Sequence, residues 1–299
     1  MRDLIGHTPL VKINYAFEQV EGVNLFAKLE YYNPSGSVKD RTGLYMVEDA
    51  IKDGRLKRGS TIVEATAGNT GLGVAFAALN QGFHVIFVVP EKFSEEKQIL
   101  MKALGADIIH TKREDGMLGA AAKAQELLSE IKDSISLQQF KNMSNPKAHY
   151  ETTGPEIYQD LDGKIDYLVA GAGSGGTYSG VVKFLKEQNR NIKGILADPV
   201  GSTMGGGEHA DYDIEGIGND FIAETMDMSL VDKVIKINDS QAFDGARALA
   251  RHEGILGGSS TGAAFSAALK LIYEHHVKGN IVFIAPDSGD RYFSKHLYA

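Results

Sequence analysis

Lys39 stands in the stretch Asn33-Pro34-Ser35-Gly36-Ser37-Val38-Lys39-Asp40-Arg41, a turn-rich passage that gives way to a helical pattern carrying Leu44 and Val47. Two glycine-rich loops lie downstream, Thr66-Ala67-Gly68-Asn69-Thr70-Gly71 and Gly173-Ser174-Gly175-Gly176-Thr177, each behind an apolar run of strand character. A glycine loop between strand and helix lets the backbone approach an anion closely and sets the positive end of the helix dipole against it. Two such cradles and one lysine point to an aldehyde cofactor with a phosphate tail. A lysine that condenses with an aldehyde needs an electron sink and a phosphate anchor before it can act on amino acids. The bland alternative is a solvated lysine, but a cation is unfavourable at a helix N-terminus. Burial would lower the pKa of the released amine and suit it to act as a base near neutral pH.

A rival reading uses only the later loop. Gly171-Ala172-Gly173-Ser174-Gly175-Gly176 satisfies G-x-G-x-x-G after a strand, and Asp198 closes the next candidate strand, as a nicotinamide dinucleotide site requires. A dinucleotide needs one such loop, whereas two helix N-termini can hold two anions, such as a cofactor phosphate and a substrate carboxylate. On residues alone a dehydrogenase and a non-catalytic binding protein both stay open.

The elements that must position these groups alternate. Strands are expected at 23–30, 61–65, 84–89, 107–111, 166–170, 194–198, 234–237 and 281–285, with helical periodicity between them, which is the pattern of α/β units around a mostly parallel sheet. Core stripes are expected on Leu44, Val47 and Ile51, on Ile99, Leu100, Ala103 and Leu104, and on Ala124, Leu127, Leu128 and Ile131. Gly105 reads as a helix C-cap and Pro90 as a strand end.

With 299 residues the chain exceeds the size at which one core usually divides, so two lobes with a cleft between them are expected. The segment 142–155, with two prolines and Gly154, is the candidate crossing. A net charge of −8 without a basic run argues against nucleic acid and for a small-molecule partner. Absence of cysteine removes disulfides and thiolate chemistry and fits the cytoplasm. No apolar run approaches the roughly 20 residues that span a bilayer. No ligand spacing appears among the nine histidines, so no metal is expected.

N-P-S-G-S-V-K-D-R, T-A-G-N-T-G, L-Q-Q-F and G-S-G-G-T, in this order, resemble the pyridoxal-phosphate-dependent β-replacement enzymes that include cysteine synthase and cystathionine β-synthase. The likeness runs from Gly6-His7-Thr8-Pro9-Leu10 to the C-terminus. It implies an α/β, fold-type II enzyme with two lobes, each a twisted, mostly parallel sheet flanked by helices. Residues 35–142 would form the smaller lobe, and residues 1–34 with 143–299 the larger.

Carried over by position, the resemblance implies that Lys39 is the Schiff-base lysine and that Asn69 bonds the ring hydroxyl. Gly173, Ser174, Gly175, Gly176 and Thr177 would enclose the phosphate, and Ser260 would face the pyridine nitrogen. Thr66, Ala67, Gly68, Thr70, Gln139 and Gly216 would meet the substrate. Ala67 departs from the family's more usual serine.

The implied reaction is β-replacement on O-acetylserine, with serine as a further candidate donor, by homocysteine to give cystathionine. Cysteine synthase, with sulfide as acceptor, is the alternative, and the dehydrogenase becomes remote. Likeness to cystathionine β-synthase is carried by Pro90-Glu91-Lys92 with Ser94-Glu95-Glu96-Lys97, by 198–202, by 215–221 and by 238–243. The chain resembles the compact catalytic core of larger relatives, without their regulatory modules or thiolate-ligated haem, and a homodimer is expected.

Overall fold

The computed structural model describes residues 2–91 and 95–299. The chain divides into two compact units, one of residues 1–5 and 39–145, the other of residues 6–38 and 146–299. Passage from the first to the second falls at Asn145 and Pro146, inside the segment 142–155.

The first unit holds β3 (Thr61–Ala65), β4 (His84–Pro90), β5 (Asp107–Thr111) and β6 (Ser134–Ile135), in the order β5-β4-β3-β6 with every pairing parallel. Its helices are α1 (Lys39–Lys52), α2 (Asn69–Ala78), α3 (Glu95–Ala103) and α4 (Gly116–Glu130). The second unit holds β1 (Leu10–Lys12), β2 (Val23–Leu29), β7 (Tyr167–Gly171), β8 (Lys193–Pro199), β9 (Lys233–Ile237) and β10 (Gly279–Ala285). Their order is β1-β2-β10-β7-β8-β9, and only the edge strand β1 runs antiparallel. After the short α5 (Ser144–Ala148) and a π-helical turn (His149–Thr153) come α6 (Gly154–Asp160), α7 (Gly176–Gln188), α8 (Asp239–Glu253) and α9 (Ser259–Tyr273).

Helices cover both faces of each sheet, so central strands are buried on both sides and read as unbroken apolar runs. Val282 and Ile284 of β10 pack with Leu168 of β7 and Val181 of α7, while Ile281 and Phe283 face the opposite core with Phe265 of α9. In the smaller sheet Ile62 and Phe87 pack with Met46, Val47 and Leu72, and Val63 and Val88 pack with Ala120 and Leu127 of α4.

All eight expected strands are present, with ends shifted by at most two residues, and β1 and β6 are additions. Gly105 has φ +87, and the N–H groups of Gly105 and Ala106 return to the carbonyls of Lys102 and Met101, closing α3 as expected. One stripe is overturned. Ile99 and Leu100 are 57% and 45% exposed, and α3 buries Lys97, Gln98 and Met101 instead. Long polar side chains carry aliphatic stems that pack as core, so apolar spacing alone pointed to the wrong face. On α1, Met46, Val47 and Ala50 are buried while Ile51 is exposed, a rotation of the expected stripe.

Each sheet reverses its winding once. From β3 the chain passes through α2 to β4 on one side, and β6 returns on the other; from β7 it passes through α7 to β8, and β10 returns on the other. Crevices at the C-terminal ends of strands open at such switch points and are where ligands bind in open α/β sheets. Both glycine loops lie there.

The α1 and α2 helices cross backbone to backbone. A Cβ on Gly43 would fall 2.3 Å from the Gly73 carbonyl carbon, and one on Gly73 would fall 2.3 Å from the Lys39 carbonyl oxygen. This crossing sets the first turn of α1, with Lys39, against the start of α2. Gly73→Ala is therefore expected to destabilise the protein by about 1–3 kcal/mol, the ordinary cost of overpacking. Urea denaturation would report it, and an unchanged midpoint would show the crossing to be looser than described.

Candidate active site

In the second unit the 171–176 loop joins β7 to α7. Gly175 is the N-cap, at φ +82. Its Cβ position lies 2.4 Å from Met226 Cβ, and that of Gly173 lies 2.6 Å from the Gly216 oxygen, so glycine is required at 175 on conformational and steric grounds and at 173 on steric grounds. Three successive loop carbonyls are engaged by one downstream segment. Ala172 O accepts from Gly218 N at 2.8 Å, Gly173 O from Asn219 Nδ2 at 2.6 Å and Ser174 O from Thr225 Oγ1 at 2.6 Å. In a planar trans peptide the C=O and the next N–H point opposite ways. The N–H groups of Gly173, Ser174 and Gly175 therefore point away from the 216–225 segment.

Inside α7, Ser179 N donates to Gly175 O at 2.8 Å, so the N–H groups of the first turn lie at the helix mouth. Thr177 Oγ1 is 3.1 Å from His149 Nε2, and His149 Nδ1 is 2.9 Å from Thr153 Oγ1, within the π-helical turn. His149 is fully buried. The result is a cup of backbone donors and one hydroxyl at the positive end of a 13-residue helix. Its donor set, backbone N–H groups and a hydroxyl at a helix N-terminus, fits a phosphate ester.

Gly216 lies behind the loop, and Ser260 follows a residue tied to the same segment. The Gly216 carbonyl walls Gly173, and Glu215 N donates to Ser259 Oγ at 3.0 Å, next to Ser260. Ser260 is buried in the first turn of α9, whose N-cap Gly258 packs on Asp287 and Tyr292. Burial, then the Asp287 carboxylate that its hydroxyl touches, hold the Tyr292 pKa well above the phenol range, so Tyr292 is a neutral donor.

In the first unit the 66–71 loop leaves β3 and coils tightly, with Gly71 N bonded to Gly68 O at 3.1 Å. Thr66 and Thr70 are buried, and Ala67 packs against the core under α2. Gln139 follows β6, on the other side of the same switch point, and Thr70 Oγ1 donates to its Oε1 at 2.6 Å. Asn69 opens α2, and Lys39, partly buried, opens α1 against that helix. Lys39, Asn69, Thr66, Thr70 and Gln139 thus belong to one end of one small sheet.

Several supporting groups escaped the sequence. Glu64, two residues before Thr66, accepts with Oε1 from Ser136 Oγ, Leu137 N and Gln138 N, which pins the approach to Gln139. Gln138 itself is at φ +54. Asn145 is fully buried; it donates to Gln139 O at 2.9 Å and accepts from Thr42 Oγ1 of α1 at 3.1 Å. For these two no sequence signal stood out, whereas Asn219 lay inside the noted 215–221 stretch. Asp198, the acid of the dinucleotide fingerprint, is buried against Lys236 Nζ at 2.5 Å and Gly205 N at 3.0 Å, which commits it to the fold.

The sequence model of a family described as pyridoxal-phosphate dependent enzyme matches residues 1–287. The chain belongs to that family. An O-acetylserine dependent cystathionine beta-synthase of Bacillus subtilis (strain 168) is 50% identical over 296 residues, covering 99% of this chain and 96% of that one. A cysteine synthase of Helicobacter pylori (strain J99) is 44% identical, covering 100% of this chain and 98% of its own. Among solved structures, an O-acetylserine dependent cystathionine beta-synthase from Helicobacter pylori superposes with a TM-score of 0.93 at 43% identity, covering 100% and 98% of the two chains. The cofactor of the family is pyridoxal phosphate, which carries a phosphate ester.

Burial raises the Glu64 carboxyl above its ordinary 4.5, outweighing the hydrogen bonds from Leu137, Gln138 and Ser136 that lower it. The ionised form is thus less favoured in the folded chain than in the unfolded one. Wild-type protein should lose stability relative to Glu64→Gln as pH rises through and above the ordinary glutamate range, the difference being most favourable to wild type on the acid side. Urea midpoints of both proteins across that range test this; a gap that widens in favour of wild type with rising pH would contradict it.

Proposed function

We propose that the chain replaces the acetoxy group of O-acetylserine with the thiol of homocysteine, giving cystathionine and acetate. One observation above others supports the reading: a helix-mouth cup of backbone donors that suits a phosphate and, at the switch point of the smaller sheet, a loop with Thr66, Thr70 and Gln139 at the same sheet end as the lysine that opens α1. The Bacillus subtilis relative, at 50% identity, supports the donor and acceptor. Sulfide as acceptor is the second reading, favoured by the relatives named cysteine synthase.

When bound, pyridoxal phosphate supplies an aldehyde that captures an amine and a ring that withdraws electrons from the adjacent carbon. Residues 173–177 hold its phosphate with backbone N–H groups and the Thr177 hydroxyl. Asn69 holds the ring hydroxyl through its amide. Ser260 offers the ring nitrogen a hydroxyl instead of a carboxylate, so no full negative charge stabilises a proton there. A hydroxyl at that position would thereby favour prompt loss of the β substituent. Lys39 would anchor the cofactor through Nζ, and the same amine would take the proton from Cα. Acetate departs as a stable anion without help from an acid, which is why O-acetylserine suits this chain better than serine.

Thr66, Thr70 and Gln139, with the backbone of Ala67 and Gly68, hold the substrate carboxylate, and Gly216 leaves room beside the cup. The homocysteine thiolate bonds to Cβ, and Lys39 Nζ returns a proton to Cα. The working form is taken to be a cytoplasmic homodimer, on the family resemblance alone.

Borohydride reduction of the holoenzyme should fix the cofactor covalently on Lys39, and Lys39→Ala should lower kcat/KM by about a thousandfold or more, the scale of losing a covalent catalyst and its base together. Labelling elsewhere, or a variant of wild-type rate, would refute the assignment. Offering homocysteine and sulfide together with O-acetylserine, with products followed by mass spectrometry, should give mainly cystathionine; predominant cysteine would favour the second reading.

A further inference from the structure

Two of the sequence stretches not absorbed by the reaction, 198–202 and 215–221, meet at one residue. Asn219 N donates to Ser202 Oγ at 3.1 Å, while Asn219 O accepts from Thr203 N at 3.1 Å, Met204 N at 3.2 Å and Ser202 Oγ at 3.1 Å. These contacts use only the Asn219 backbone. The side chain does something else: Nδ2 reaches Gly173 O at 2.6 Å. Ser202 is itself fully buried, and the adjoining Asp198 holds Lys236 and Gly205 N, so the platform under Asn219 is rigid.

We infer that Asn219 is a positioning residue of the phosphate cup: its amide turns the Gly173 carbonyl outward, which aims the Ser174 N–H the opposite way, into the cup. The neighbouring carbonyls are turned by Gly218 N and Thr225 Oγ1, and the Gly173 carbonyl is the one held by a side-chain amide. Without that donor the 173–174 peptide is released to rotate, since Gly173 has no side chain to resist. An inward carbonyl would present a partial negative charge to a phosphate.

The inference rests on the reading of the cup as a phosphate site, and the test separates the two. Full-length protein freed of cofactor is titrated with pyridoxal phosphate and with pyridoxal, which lacks the phosphate, following absorbance. Wild type should bind the phosphorylated form much more tightly. Asn219→Ala keeps every backbone contact to residues 202–204, and it should weaken pyridoxal phosphate by about tenfold while moving pyridoxal by less than about twofold. Asn219→Asp, which has no donor at neutral pH, should behave alike. The 31P resonance of the bound cofactor should shift in both variants. Equal weakening of both ligands, or of neither, overturns the role of Asn219. A wild-type protein that binds the two forms equally overturns the cup itself, and with it this inference.

Discussion

A peptide unit cannot turn its carbonyl and its N–H to the same side, and the α7 cup is built around that constraint. To present several donors to an anion, the loop must send its carbonyls outward, and buried carbonyls need donors of their own. The segment 216–225 supplies them in order: Gly218 N, Asn219 Nδ2 and Thr225 Oγ1. Much that lacks regular secondary structure in this unit follows from it. The 216–225 segment is neither helix nor strand because its donors must face a loop, and it is held by Ser202 and the 203–204 backbone instead of by a ladder. Glycine is needed at 173 and 175 because both are pressed from behind by this wall.

The smaller sheet meets a related demand by different means. There the wall is made of side chains, Thr66, Thr70 and Gln139, and what must be fixed is where β6 ends and Gln139 begins. Glu64 gathers three donors on one oxygen, and Gln138 is held at positive φ, a conformation costing on the order of 1 kcal/mol for a residue with a Cβ. Asn145 ties the result to α1 through Thr42. A backbone cup suits a group that stays bound through many turnovers. On the proposed function, the wall of hydroxyls and an amide would meet a carboxylate that enters and leaves with each one.

What was legible in the sequence follows the range of the interaction. A central parallel strand announces itself as an apolar run, so β3 was bounded to the residue; the edge strand β5, half-exposed, was bounded as closely because Gly105 marks the end of the helix before it. The two-residue β6 and the three-residue edge strand β1 carry too little pattern to be seen. Both glycine loops were visible because strand, turn and helix are adjacent in the chain. The donors that orient the later loop lie some 45 residues downstream of it, and the buried His149 precedes it; neither spacing leaves a local mark. Asp198 shows the converse, a match to a pattern whose carboxylate serves the fold through Lys236.

The stretches that liken this chain to cystathionine β-synthases can now be sorted by what they touch. Asn238 and Gln241 form a reciprocal capping box at the start of α8, which is helix chemistry. Residues 198–202 and 215–221 brace one another and the phosphate cup. The stretch around Pro90 closes β4 and opens α3, and Lys92 and Ser94 lie outside the described residues. Similarity at 198–202, at 217–221 and at 238–243 is therefore similarity in how the loop before α7 is braced and how α8 is begun. The choice between homocysteine and sulfide is better sought in the 66–71 loop, where Ala67 replaces a hydroxyl with a methyl group that packs on the core beneath α2 and leaves Thr66 and Thr70 as the loop's hydroxyls.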